Sequence, residues 1–145
     1  MLPMAIYRTA HALHRAHVPV LPRLLCGINR VLFAMVLPAS ARVGRDVLFG
    51  YQGLGVVVHA HAVIGDRVVL ATGVTIGGTG TRQGVPVIED DVYIGSGAKL
   101  LGPIRIGRGS RIGANAVVLI DVPAGAIAVG VPARVILGAA GGPRP

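Results

Sequence analysis

The 145-residue chain has no tryptophan, one cysteine, two phenylalanines, three tyrosines and only six acidic residues. Each scarcity excludes something. Cys26 has no partner within the chain, so a disulfide framework is ruled out and a reducing compartment is implied. Aromatics make up 3% of the chain and hydrophobic residues 52%, so the core must be filled by Val, Ile, Leu and Ala, which suit thin, closely stacked layers. That hydrophobic content also excludes intrinsic disorder. The shortage of acids leaves a net charge of +8, from 13 arginines and one lysine. Such an excess points to nucleic acid, anionic lipid or phosphorylated ligands. The arginines are scattered and bases would find almost no aromatic platform, so no nucleic acid is expected and a phosphate-bearing small molecule is favoured.

The mean hydropathy of +0.69 raises the question of a membrane span. Val47 to Gly65 carries no charge, but Gly50, Gly53, Gly55 and two histidines interrupt it. Ile112 to Ala133 contains Asp121, Pro123 and Pro132, poor material for a helix that must satisfy its own backbone in lipid. No spanning segment is read. The N-terminus lacks the basic and apolar regions of a secretory signal, and a cytoplasmic location is expected.

What is abundant is a period of six. Ile64, Leu70, Ile76, Ile88, Ile94, Leu100, Ile106, Ile112 and Val118 occupy nine of ten successive hexad positions, with Arg82 the exception. Gly65, Gly77, Gly95, Gly107 and Gly113 each follow the aliphatic residue, where a missing Cβ permits a tight turn or a close neighbour. Four residues after the aliphatic position come Val68, Val74, Val92, Ala98, Ile104, Ser110 and Ala116. Strands repeat every two residues and helices every 3.6, so a sustained six requires faces that recur every six residues. Three hexads make one triangular coil, and stacked coils make a prism with the aliphatic residues in rows inside.

The first 37 residues lack the repeat. Met4 to His17 and Arg23 to Leu37 read as two helices, separated by Pro19 and Pro22, that cap the first coil. Arg8, Arg15, Arg23 and Arg30 recur about every seven residues; they form either a basic stripe on a membrane-contacting helix or a solvated face. The expected organisation is a helical cap at 1–37, a repeat domain at 38–137 and a flexible tail at 138–145. Regularity fails twice. At Phe49 to Gly55 the hexad phase shifts by three, and at Gly77 to Pro86 a Gly-rich segment leaves the prism.

Four segments carry a resemblance. They are Val74-Thr75-Ile76-Gly77-Gly78-Thr79-Gly80, Ile94-Gly95-Ser96-Gly97-Ala98-Lys99-Leu100-Leu101-Gly102, Ile106-Gly107-Arg108-Gly109-Ser110-Arg111-Ile112-Gly113-Ala114 and Ala128-Val129-Gly130-Val131-Pro132-Ala133-Arg134-Val135. In their order and spacing, over about residues 36 to 137, the chain resembles the hexapeptide-repeat acyltransferases, in the serine acetyltransferase-like branch. The resemblance implies an all-β fold, a left-handed parallel β-helix with a short helical N-terminal cap. It also implies a homotrimer with sites between neighbouring prisms, acetyl-CoA as acyl donor, and transfer to a hydroxyl or amino group of serine, a sugar or a related metabolite. Gly78, Thr79, Ser96, Arg111 and Ala114 match positions where the family contacts CoA, and Arg134 falls in its C-terminal motif. From the residues themselves, Lys99 and Arg111 complement phosphate. Each glycine of the set also reads as a corner residue without a ligand.

At the position matching the family's catalytic histidine stands Tyr51, and the orienting acid corresponds to about Met35. The family's substrate loop becomes Gln83, Gly84 and Val85, with Arg82 nearby as a substrate-binding candidate. His59 and His61 should both point out of the prism, since Val58 and Ala62 are inward by phase. His59 is the candidate base, His61 a substrate-side residue, and each also reads as a solvated or intersubunit histidine. Tyr51 reads as a hydrogen-bond donor to the acceptor or an oxyanion. No metal is expected, because a zinc site between subunits needs three histidines and the repeat offers two. A catalytically silent trimer, binding CoA or a partner, remains the alternative.

Overall fold

The computed structural model describes residues 1–136, so the expected tail at 138–145 and residue 137 lie outside it. Two helices precede a solenoid of short strands, α1 (Leu2–Arg15) and α2 (Leu21–Phe33). Each has a proline in its first turn, where the missing N–H leaves no bond unmade. Expected to run to Leu37, α2 stops at Phe33. Ala34 adopts a left-handed conformation (φ 49°), and Val36 already pairs with Val57 of the solenoid. Met35 and Leu37 therefore belong to the core, at 0% and 1% exposure.

The strands are β1 (Arg42–Val43), β2 (Leu48–Phe49), β3 (Val57–Val58), β4 (Val63–Ile64), β5 (Val69–Leu70), β6 (Thr75–Gly77), β7 (Val87–Ile88), β8 (Tyr93–Ile94), β9 (Lys99–Leu101), β10 (Arg105–Ile106), β11 (Arg111–Ile112), β12 (Val117–Val118), β13 (Ile127–Gly130) and β14 (Ala133–Ile136). They stack into three parallel sheets. The first face is β1-β4-β7-β10, the second β2-β5-β8-β11-β13-β14, and the third β3-β6-β9-β12. Only β14 runs antiparallel, folding back on β13 at the C-terminal end. The result is about four coils of a three-sided β-solenoid.

Register explains the hexads. Val87 pairs with Arg105, 18 residues on, which is three hexads and one full coil. Arg42 pairs with Val63 after 21, and Val63 with Val87 after 24. The extra three residues lie between β2 and β3 and the extra six between β6 and β7, where the repeat breaks. In each coil strand the second residue points inward. All nine aliphatic hexad residues are at most 2% exposed, and Ser110 is buried with them.

The helices sit on the first coil. Tyr7 is buried and its hydroxyl donates to the Ala41 carbonyl (2.6 Å), while the Arg8 guanidinium donates to the carbonyls of Val43 (2.7 Å) and Gly44. Burial pushes the Tyr7 phenol above its ordinary value, against the pull of neighbouring Arg8. The cap is fastened by polar contacts to strand-end carbonyls as well as by apolar packing.

Candidate functional site

Three corners join the faces, and they differ in chemistry. The corner between the first and second faces carries an ion-pair ladder. Arg45 pairs with Asp66 (3.1 Å), Arg67 with Asp91 (2.7 Å), Arg108 with Asp90 (3.0 Å), and Arg105 with Glu89 through its Nε (2.6 Å). The Asp66 carboxyl is held below its usual range by the Arg45 backbone N–H and then its side chain. Glu89 is lowered by the Arg108 N–H and Arg105, and Asp91 by Arg67.

The corner between the second and third faces holds a column of left-handed residues, Gly55, Gly73, Gly97 and Asn115, with φ from 55° to 73°. Their stacking leaves little room for side chains. A Cβ on Gly55 would sit 3.3 Å from the Gly73 Cα, and one on Gly97 would collide with the Asn115 side chain. Ser96 and Ala114 lie on this corner, exposed, and the Ser96 hydroxyl is 3.4 Å from that of Thr72. Lys99, at the edge of the third face, donates from Nζ to the carbonyls of Gly73 (3.0 Å) and Gly97 (2.8 Å). Tyr51 stands on the same corner in the first coil, 87% exposed and left-handed (φ 46°). Beneath its turn, Gly53 (φ 82°) lies against the Met35 thioether, which a Cβ would strike.

The third corner, between the third and first faces, carries His59, His61 and the Gly77–Pro86 loop. Both histidines are exposed, pointing outward from between buried Val58 and Ala62. Their rings are 5.4 Å apart, and the His61 backbone N–H donates to His59 Nδ1 (3.1 Å). A neutral His59 in that arrangement carries its proton on Nε2. No carboxylate among the described residues hydrogen-bonds either ring. The loop folds back on the prism. Thr79 Oγ1 accepts from the Arg82 N–H (3.2 Å), the Arg82 guanidinium donates to the Leu119 carbonyl (3.2 Å), and both side chains lie against Gly102. Gly78 is exposed at the loop's start.

The candidate residues thus divide. Tyr51, Ser96, Lys99 and Ala114 line one edge of the third face, and His59, His61, Gly78, Thr79 and Arg82 line the other. Arg111 is on the second face, its guanidinium over the Tyr93 ring (5.2 Å to the centroid), and exposed Arg134 is on the terminal strand β14. One chain does not bring the two edges together. Tyr93 escaped the sequence reading, since only the register between β8 and β11 puts it beside Arg111.

Residues 86–119 match the family model for the bacterial transferase hexapeptide, six repeats. The chain is 42% identical over 135 residues to a serine acetyltransferase of Synechococcus elongatus, covering 92% of this chain and 55% of that one. It is 44% identical over 132 residues to one of Helicobacter pylori, covering 90% and 77%. Soybean serine acetyltransferase, solved with serine, superposes with a TM-score of 0.88 at 44% identity, covering 93% of this chain and 56% of that one. A serine acetyltransferase solved with CoA superposes at 0.85 with 37% identity, covering 92% and 55%. The chain spans little more than half the length of several of these proteins. With the triangular coils, both interruptions of the repeat and the Gly-rich corner accounted for by one architecture, the chain belongs to the serine acetyltransferase family of hexapeptide-repeat transferases.

Proposed function

We propose that this chain is an acetyl-CoA-dependent acetyltransferase that acts on the hydroxyl or amino group of a small acceptor such as serine, a sugar or a related metabolite. The observation that carries this reading is the 44% identity to a serine acetyltransferase of which the chain covers 77%. The charge distribution supports a donor bearing phosphates. Four of the six acids are tied into the arginine ladder on one corner, while Lys99 and Arg111 make no salt bridge among the described residues. Gly78, Thr79, Ser96, Lys99, Arg111, Ala114 and Arg134 are assigned to CoA, and Arg82 and His61 to the acceptor. The division of these residues over two edges supports a homotrimer, in which a groove between copies would join one edge of each prism to the opposite edge of its neighbour. A cytoplasmic location, where acetyl-CoA is available, belongs to the same proposal.

His59 takes the acceptor's proton as the acceptor oxygen or nitrogen attacks the thioester carbonyl carbon. The hydroxyl of Tyr51 from a neighbouring copy donates to the oxyanion. The C–S bond then breaks, and the leaving sulfur recovers the proton from the imidazolium, giving free CoA and the acetylated acceptor. To receive the proton at Nε2, His59 must move its own to Nδ1 and release the His61 N–H, a contact worth about 0.5–1.5 kcal/mol.

That engaged Nδ1, with no carboxylate to orient the ring, favours a second reading in which the trimer binds CoA without catalysis. Thiol release from acetyl-CoA over a panel of amino acids, sugars and amino alcohols separates the two. Turnover with at least one acceptor, reduced about 100-fold or more by His59→Ala, is expected. CoA binding without turnover would establish the silent form. Turnover that survives His59→Ala and rises with pH would transfer the chemistry to Tyr51 and an acceptor amine arriving unprotonated.

A further inference from the structure

Between the helical hairpin and the first coil lies a cavity of about 670 Å³, lined by His14, His17, Arg23, Cys26 and Arg30 together with apolar residues and the segment 36–40. Arg23 and Gly27 also border a second groove, along α2, whose other walls are Leu24, Ile28, Val31 and Leu32. The two are therefore neighbours across these residues. Leu24 is 59% exposed, Val31 84% and Leu32 63%, large apolar side chains on one helix with nothing over them in a single chain. Residues 1–45 contain six arginines, three histidines and no acid, and among the described residues neither Arg23 nor Arg30 forms a salt bridge.

We propose that α2 and the cationic cavity beside it dock the protein on an anionic phospholipid surface. Headgroup phosphates would meet Arg23 and Arg30 at the cavity mouth, while Leu24, Ile28, Val31 and Leu32 enter the acyl boundary. An apolar helix strip flanked by arginines is the arrangement of an in-plane interfacial helix. No helix among the described residues is long and apolar enough to cross a membrane. Charge argues against this face docking on its own copy about a two-fold axis. A two-fold contact would bring Arg23 and Arg30 of both chains together, and the cap has no acidic residue to neutralise them.

The test is flotation with vesicles of phosphatidylcholine alone and with about 30 mol% phosphatidylglycerol added, at low and high salt. The protein is expected to float with the anionic vesicles at low salt, to be released at high salt, and to stay behind with neutral ones. Arg23→Gln with Arg30→Gln should weaken partition roughly thirtyfold, about fivefold per arginine. Leu24→Ser with Ile28→Ser should abolish flotation. All four side chains are exposed or at a cavity wall, so the melting temperature serves as the folding control. The wild-type comparison between vesicle types decides the matter should a variant misfold. Equal binding to neutral vesicles, no binding to anionic ones, or displacement by inorganic phosphate at constant ionic strength would overturn the proposal. So would a change in sedimentation mass on Leu24→Ser with Ile28→Ser, which would make this face an interface between copies. None of these readouts depends on acetyl transfer.

Discussion

Gly95 shows what one hydrogen atom in place of a methyl does in a solenoid. A Cβ there would lie 2.7 Å from the Ala114 nitrogen and 2.9 Å from the Ile112 carbonyl oxygen, backbone atoms of the next coil that cannot yield. Gly95→Ala should therefore destabilise the fold by about 1–3 kcal/mol. Gly27, inside α2, has nothing within 4 Å of a built Cβ, and Gly27→Ala should gain about 0.5–1 kcal/mol from helix propensity. Urea denaturation of the two variants checks both signs. The sequence marked Gly95, Gly65 and Gly107 alike as sites of turning or close approach, and all three meet backbone of the next coil. Gly77 shares their motif, yet its nearest neighbour is a flexible Leu101 methyl at 3.8 Å. Gly77 is still inside β6, in regular register with Leu101 of β9, so a Cβ there would face a side chain rather than a corner backbone. The His61 N–H on His59 Nδ1 was beyond reach of the sequence, because it depends on the conformation of an exposed two-residue turn.

Among the elements, strands and breaks were legible and the helix ends were not. The period of six is kept at nine of ten positions, so local error averages out, and the lengths of both insertions are visible as a phase change or a vacant hexad. A helix end is set once, by residues such as Ala34 and by the tertiary pairing of Val36 with Val57. The ion-pair ladder was also hidden, because its partners are up to 24 residues apart and meet only in register. It has a pH signature. Asp66, Glu89 and Asp91 are held below their ordinary values in the fold, so their contribution is present above about pH 4 and is lost as pH falls through the lowered values. Thermal melting followed from pH 7 to pH 2 should be nearly level down to about pH 5 and drop below pH 4. Asp91→Asn should flatten that drop, and an unchanged acid limb would show that these pairs contribute nothing.

For the whole molecule, the prism was readable because its core is a row of like residues, whereas the candidate site was readable only as a set of positions. Donor-side residues from Gly78 to Arg134 occupy two corners, one face and the terminal strand, and no linear motif states which edges meet. Charge segregation became visible only in three dimensions. Acids gather on the ladder corner, leaving Lys99 and Arg111 at the edge and face that the CoA reading assigns to phosphate. The most direct test is isothermal titration of CoA into the wild-type protein and into Arg111→Gln with Lys99→Gln. Saturable binding by the wild type with one CoA per chain, weakened at least about tenfold in the double variant and lowered by added salt, is the predicted result. No heat of binding for CoA or acetyl-CoA with the folded wild-type protein would contradict the account.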